Sequence, residues 1–397
     1  MEVDADQQIS SIIEVQKKFD ASTLTTSDEQ AAKLFKPPEF ITPYPVKLNP
    51  HFSAKEDSEW ARAWLLGLKV DKILNDKLMQ TMLNMDVPRL TAAFHPRTGE
   101  WGFRWSCKYF FMLFILDDVV DASLVGKEAR VTLSLLLDLH LVMMWSFPDD
   151  PFLRRELVPF FNILEDGPER QGRIDSFEGV MAEARTHTGT VYPGQLSTIG
   201  NLFRELWTEA ISSNSSPEAM LLVAQSTQDW LSGVLMETEY KHGRTAPDCV
   251  NDVVRIRKRS SANICAMFIT EVILDNPLRS PASWMYSPEM QRMLDALNDL
   301  VTWHNDLWSF KKEVLQNDHI FNMVLAISTH SRVTYQEAGQ IVIQMLNERR
   351  VDLEAAAADL ERATPPGLHP NFAFYSQACR DFVAGTIYWH SRSVRFH

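Results

Sequence analysis

The chain has 397 residues, a formal net charge of −13 and only 15 glycines. The acidic charge argues against general nucleic-acid binding, which needs a basic surface. Scarce glycine, with no GxGxxG or GxxxxGK[ST] pattern, argues against a nucleotide-binding loop and favours long helices. These features predict an all-α protein.

The first fifty residues differ in composition from the rest of the chain. Residues 1–36 are polar and acidic, and prolines between Pro37 and Pro50 break any helix. We predict a partly disordered tail and strap over 1–50, followed by one helical domain over 51–397. Because a signal-peptide pattern and a long apolar run are both absent, we expect a cytoplasmic protein with no membrane span.

Helical periodicity begins near Lys55 and continues to the end of the chain. We predict loops at 166–173, 187–195 and 277–290. Pro217 and Pro288 are expected to open helices, because proline fits the first helical position. The spacing of these segments predicts about eleven or twelve helices.

An apolar run ends in three aspartates within FFMLFILDDVVD, residues 110–121. On a helix, Asp117 and Asp121 are one turn apart and share a face. Oxygen ligands without Cys or His suit Mg²⁺ or Mn²⁺. Phe110 and Phe114 lie roughly on the same face, so the pattern predicts a metal site at the end of an aromatic helix face. A solvated acidic helix end is the alternative.

A second motif, NDLWSFKKE, occupies residues 305–313. Asn305, Ser309 and Glu313 recur at four-residue spacing, which places an amide, a hydroxyl and a carboxylate on one helix face. These groups form a second hard-oxygen donor set for Mg²⁺. Lys312, beside the glutamate, adds a cation that suits an anionic ligand.

A competing register overlaps this motif. Asn298, Thr302 and Asp306 have the same spacing, but the set ends in aspartate and lacks the adjacent lysine. We prefer the later register, Asn305 to Glu313, as the metal-binding set.

The two motifs, in this order, resemble the class I terpene cyclases of fungi and bacteria, and the resemblance runs from about residue 40 to the end. It implies one class I terpenoid-synthase helical bundle around a deep apolar cavity. It also implies three Mg²⁺ ions, with Mn²⁺ as an alternative, which together grip a diphosphate. The expected reaction is cyclisation of farnesyl diphosphate to a sesquiterpene hydrocarbon or alcohol, with geranylgeranyl diphosphate as the alternative substrate.

The resemblance assigns further residues near Arg259, which lies 46 residues before Asn305. At that spacing the family carries an arginine that senses the diphosphate. Asn263 stands where the family commonly has glycine, whose carbonyl helps to trigger ionisation. Arg255 and Arg257 are expected to be exposed or to support the site.

The end of the chain resembles the family's last motif, an Arg-Tyr pair preceded by tryptophan. Here Trp389 precedes Arg395 and Phe396, so the usual tyrosine hydroxyl is missing. Arg259, Asn305, Lys312 and Arg395 are the expected diphosphate ligands. Asp118 is expected either to pair with Arg395 or to be solvated.

Four aromatic residues are candidates for stabilising a carbocation by cation–π attraction, or for simple core packing. They are Phe110, Phe114, Trp308 and Trp389. Two other protein classes stay open: a chain-elongating prenyltransferase, which would need a second aspartate-rich motif, and a non-catalytic isoprenoid-binding protein. We expect a small-molecule substrate, no nucleic acid, and a monomer or homodimer.

Overall fold

The computed structural model describes residues 26–68, 76–125, 129–161, 167–186, 191–213, 215–243, 247–316 and 321–396. Over these ranges the regular structure is helical, with no β-strand. The predicted all-α class is therefore confirmed. None of the described helices is long and apolar enough to cross a membrane.

The helices of the first half of the chain are α1 (Thr26–Leu34), α2 (Ala54–Gly67), α3 (Asp76–Asn84), α4 (Val87–Phe94), α5 (Glu100–Val125), α6 (Ala129–Ser146), α7 (Pro151–Phe161), α8 (Pro168–Thr186) and α9 (Thr198–Ser212). Those of the second half are α10 (Pro217–Gly243), α11 (Val250–Ser260), α12 (Asn263–Val272), α13 (Ala282–Met285), α14 (Pro288–Gln316), α15 (Met323–Ser331), α16 (Tyr335–Ala363) and α17 (His369–His390). Short 3-10 turns cover Pro366–Leu368 and Val394–Phe396.

The described ranges contain more helices than the eleven or twelve predicted, because some are short. Asp86 has a left-handed backbone (φ 53°) and separates α3 from α4. Two predicted loops also contain helix: α8 begins at Pro168 and α13 lies within 277–290. The starts at Pro217 and Pro288 are confirmed.

The chain divides into two compact units, of which one comprises residues 48–235 and 264–282. Within it, α5 is held tightly by its neighbours. A Cβ on Gly102 would lie 2.1 Å from the carbonyl oxygen of Ile273, so only glycine fits there. The indole nitrogen of Trp105 donates to the Leu206 carbonyl at 3.0 Å. These contacts fix the helix that carries the aspartate motif.

The other unit comprises residues 1–47, 236–263 and 283–397. Its longest helices, α14 and α16, pack together. A capping box between Thr334 and Glu337 begins α16. Residues 26–47 of the predicted tail and strap belong to this unit, where the Phe35 and Phe310 rings meet edge-on at 4.9 Å.

Candidate functional site

The aspartate motif lies on α5, as predicted. Asp117 and Asp118 are half-buried, whereas the side chain of Asp121 lies outside the described residues. Phe110 is buried against Phe94, with ring centroids 5.5 Å apart, and Phe114 is half-buried. Since Asp117 and Asp121 are four positions apart on one continuous helix, they share a face. The metal-binding role of this pair stays a prediction.

The second motif lies on α14. Asn305, Lys312 and Glu313 are half-buried, and Ser309 is buried. The Ser309 hydroxyl forms no hydrogen bond of good geometry to the described residues, but it interacts with the Glu313 carboxylate and in that way opposes the rise in the pKa of Glu313. Asn322, at the start of α15, donates to the Glu313 carboxylate at 2.8 Å. Buried oxygen atoms with spare lone pairs fit a hard divalent cation.

A cluster of charges surrounds Glu313. Arg257 donates to Asp306 at 2.7 Å and lies 3.5 Å from Glu237. Burial and the nearby Asp306 raise the pKa of Glu313, while Arg257 opposes the shift. Three carboxylates thus outnumber this guanidinium, and the excess negative charge favours a further cation.

Asn298 and Thr302, from the competing register, contact α12 instead. The Asn263 amide, at the start of α12, donates to Asn298 at 2.9 Å and to Thr302 at 3.0 Å. Asn298 also accepts from Ser261 at 2.7 Å. The side chain of Asn263 is therefore engaged in hydrogen bonds to two residues of α14.

The arginines of α11 differ in exposure. Arg255 is exposed and pairs with Asp252, whereas Arg257 is largely buried among carboxylates. Arg259 is half-buried and lies 3.6 Å from the sulfur of Met236. Arg255 is thus exposed as expected, whereas Arg257 contacts Asp306 on α14, and a supporting role of Arg257 at the site stays a prediction.

The end of the chain packs as an aromatic cluster. The ring of Trp389, near the end of α17, meets the ring of Phe396, in the turn Val394–Phe396, edge-on with centroids 5.5 Å apart. Arg395 lies near His390 and helps, after burial and His304, to lower its pKa well below the usual range. Phe396 thus contributes apolar packing where the family's tyrosine would have a hydroxyl.

Two buried histidines lie next to the second motif, and the sequence did not indicate either of them as a site residue. The Nδ1 atoms of His304 and His390 are 2.8 Å apart, and Nε2 of His390 is 3.4 Å from the Asn305 amide nitrogen. Trp308 is half-buried, with its ring 6.3 Å from that of His304. His304 precedes Asn305 and His390 follows Trp389, but neither neighbourhood distinguishes a functional histidine from core.

The structure therefore brings part of the predicted set together within one unit. Asn305, Ser309 and Glu313 share a face of α14, and the C-terminal turn with Arg395 reaches α14 through His390. Asp117 belongs to the other unit. Across the described residues, no three His, Cys, Asp or Glu side chains cluster in a way that could hold a metal. The α14 donor set contains one carboxylate, with Asn and Ser supplying the other oxygens.

Sequence comparisons identify related proteins. The family model described as terpene synthase family 2, C-terminal metal binding, matches residues 160–352, which include α14. An alpha-gurjunene synthase from Marchantia polymorpha is 25% identical, over 91% of this chain and 86% of its own length. A 4-epi-cubebol synthase from Streptosporangium roseum, named as (2E,6E)-farnesyl diphosphate cyclizing, is 27% identical over 43% of this chain and 47% of its own.

Solved structures share the fold. An a-eudesmol synthase has a TM-score of 0.67 and 16% identity, and the match covers 89% of this chain and 99% of that one. At this identity the likeness establishes the helical fold alone.

Proposed function

We propose that the chain is a class I terpene cyclase that ionises farnesyl diphosphate and cyclises the resulting cation to a sesquiterpene hydrocarbon or alcohol, releasing diphosphate. The observation that carries this proposal is the α14 face with Asn305, Ser309 and Glu313. A relative named for farnesyl diphosphate favours that substrate over geranylgeranyl diphosphate.

We assign the metal ligands by their donor chemistry. Asp117 and Asp121 on α5, and the three residues on α14, offer oxygen atoms of the kind that Mg²⁺ or Mn²⁺ prefers. The buried Ser309 hydroxyl, which forms no hydrogen bond of good geometry to the described residues, and the carboxylates near Glu313 fit such an ion. When bound, the proposed three ions neutralise the diphosphate and so make it a better leaving group.

Cationic side chains complete the proposed diphosphate site. Arg259, Lys312 and Arg395 would supply charge-assisted donors for the diphosphate. Asn263 keeps the start of α12 against α14 through its two side-chain hydrogen bonds. We propose that this contact holds the backbone near Arg259 in place when the substrate ionises.

The aromatic residues are assigned to the hydrocarbon part of the substrate. Phe110 and Trp389 are buried, and Phe114 and Trp308 are half-buried. Their rings would exclude water and attract the carbocation, each contributing about 0.5–2 kcal/mol.

A cytoplasmic location also stays a prediction.

Incubation with farnesyl diphosphate and Mg²⁺, followed by gas chromatography with mass detection, tests the function. We expect a cyclic C15 hydrocarbon or alcohol that disappears when EDTA is added. A longer diphosphate would indicate chain elongation, a product from geranylgeranyl diphosphate alone would indicate a diterpene cyclase, and no product would indicate a binding protein.

A matched pair of variants tests the assignment on α5. Asp117→Asn should lower the rate far more than Asp118→Asn, because only Asp117 shares a helix face with Asp121. Equal losses would contradict the assigned roles.

A further inference from the structure

Two histidines and a proposed metal ligand form a chain of polar contacts inside the unit that contains α14. His304 and His390 are almost fully buried, their rings are nearly parallel, and their Nδ1 atoms are 2.8 Å apart. The other nitrogen of His390, Nε2, lies 3.4 Å from Nδ2 of Asn305. The polar contacts therefore lead from His304 through His390 to Asn305.

The direction of these hydrogen bonds determines which atom Asn305 presents. Both rings are almost fully buried and stack with their Nδ1 atoms 2.8 Å apart, and because burying a charge is costly we take both imidazoles as neutral. A neutral imidazole has one donor and one acceptor nitrogen. If Nδ1 of His390 donates to His304, then Nε2 must accept from the Asn305 amide.

The opposite arrangement has the opposite consequence. If Nε2 of His390 carried the proton, it would face Oδ1 of Asn305, and the NH₂ group would point away. An NH₂ group cannot bind a cation, whereas a carbonyl oxygen can. Only one tautomer of His390 is therefore compatible with metal binding by Asn305.

We propose that His390, held by His304, is a positioning residue that orients the Asn305 amide so that its Oδ1 is available to a divalent cation. This inference rests on the proposed function, because it assumes that Asn305 is a metal ligand. Metal ligands commonly depend on such outer partners for their orientation.

The surroundings of the pair favour this arrangement. The Phe396 ring packs edge-on against His390 with centroids 4.9 Å apart. A phenylalanine offers no hydroxyl that could compete with Asn305 for a nitrogen of His390. The departure of Phe396 from the family's tyrosine thus acquires a physical role in this chain.

Metal binding without turnover provides the first test. Mn²⁺ binding in the presence of inorganic diphosphate can be followed by electron paramagnetic resonance for wild type and His390→Phe, which keeps an aromatic ring but removes both nitrogens. We expect the half-saturating Mn²⁺ concentration to rise about tenfold. His140→Phe is the matched control, because His140 is equally buried and packs edge-on against Phe160. It should leave Mn²⁺ binding unchanged.

A second background separates orientation from general damage. In Asn305→Asp, either carboxylate oxygen can face the ion, so adding His390→Phe should change half-saturation by less than about twofold. In His390→Gln, the side-chain oxygen can still accept from the Asn305 amide, so the half-saturating Mn²⁺ concentration should remain close to that of wild type. If His390→Phe does not fold, a large rise of this concentration in His390→Gln would contradict the proposal. A loss of equal size in both Asn305 backgrounds would overturn the proposal.

The tautomer can be read directly in the wild-type protein. Nitrogen-15 NMR of histidine-labelled enzyme, with His390→Gln for assignment, should show His390 protonated on Nδ1 and not on Nε2. The reverse tautomer, or unchanged Mn²⁺ binding in His390→Phe, would overturn this inference while leaving the cyclase function intact. Wild-type protein that binds no Mn²⁺ with diphosphate would overturn the proposed function as well.

Discussion

Two faces of α14 carry nearly the same residues at the same spacing but differ in their partners. On one face, Asn298, Thr302 and Asp306 are buried and hydrogen-bonded to other parts of the protein. On the other, Asn305 has one long contact to His390, and the Ser309 hydroxyl forms no hydrogen bond of good geometry to the described residues. The oxygen atoms of the first face are engaged by other residues of the fold, whereas those of the second keep more acceptor capacity for a ligand, although Asn322 donates to Glu313.

The difference shows that spacing alone does not identify a metal site. An Asn, a Ser or Thr and a carboxylate four residues apart are suitable donors only while their lone pairs are free. Asp306 accepts from Arg257 at 2.7 Å and from the Met323 backbone at 3.1 Å. The Asp306 carboxylate oxygens are therefore occupied by hydrogen bonds that stabilise the fold.

Replacing Asp306 should give the largest effect on stability. Asp306→Asn leaves Arg257 buried with Glu237 at 3.5 Å, and we expect a loss of about 3 kcal/mol in the free energy of unfolding. Asp295→Asn, at an exposed position on α14, should cost less than about 0.5 kcal/mol. Denaturant titration measures both. A small loss for Asp306→Asn would remove the distinction between the faces.

Replacing Glu313 should instead reduce activity. Glu313→Gln removes a proposed metal ligand, and we expect the Mg²⁺-dependent rate to fall about 100-fold. Stability should be unchanged or higher, because burial and Asp306 already disfavour the charge on Glu313. Glu289→Gln, in the first turn of α14, is the activity control. If Glu313→Gln kept full activity, the later register would not be the metal-binding one.

Acid sensitivity limits the pH at which the two faces can be compared. Burial lowers the pKa of His95, His140 and His304 from 6.5 to about 3. Because the unfolded chain binds protons at these residues below pH 6.5 and the folded chain does not, stability falls as the pH falls from 6.5 towards 3. At pH 5 each histidine should cost about 2 kcal/mol.

His140→Phe tests this pH dependence away from both faces. Relative to its own stability at pH 7.5, the variant should lose about 2 kcal/mol less than wild type by pH 5. Unfolding by denaturant at the two pH values measures the change. Equal losses in the two proteins would mean that His140 binds a proton in the folded state.

Much of the fold could be predicted from local patterns. Helices begin at Pro217 and Pro288 as expected, because proline favours the first helical position and this preference depends only on the local sequence. Helix α8 was missed in part because its first turns are polar on every side and show no apolar periodicity. The break at the left-handed Asp86 between α3 and α4 was not predicted, although Pro88 in the first turn of α4 is a helix-start signal.

The site was predictable only along a single helix. Four-residue spacing indicated both registers of α14. The two registers differ in the residues outside α14 that contact them. Asn322 contacts Glu313 from α15, Arg257 contacts Asp306 from α11, and His390 contacts Asn305 from the end of α17. Such contacts depend on tertiary packing, which a single sequence does not reveal.

The smallest predicted effects occur at the break between α11 and α12. Ala262 has a left-handed backbone (φ 59°), which strains any side chain with a Cβ. Ala262→Gly should therefore stabilise the protein by about 0.5–1 kcal/mol, since relief of strain exceeds the added chain entropy. Asn263→Gly, at the next position, removes the hydrogen bonds to Asn298 and Thr302 and should destabilise it by about 1 kcal/mol.

Opposite signs at adjacent positions make this pair informative, because general intolerance of glycine at the break would destabilise both variants. Urea titration of the two variants and wild type measures the difference. If Asn263→Gly were as stable as wild type, the Asn298 face would not depend on α12 for its stability. Asn298 would then retain Ser261, the Lys258 carbonyl and the Thr302 hydroxyl as partners, at 2.7 Å, 2.5 Å and 3.4 Å.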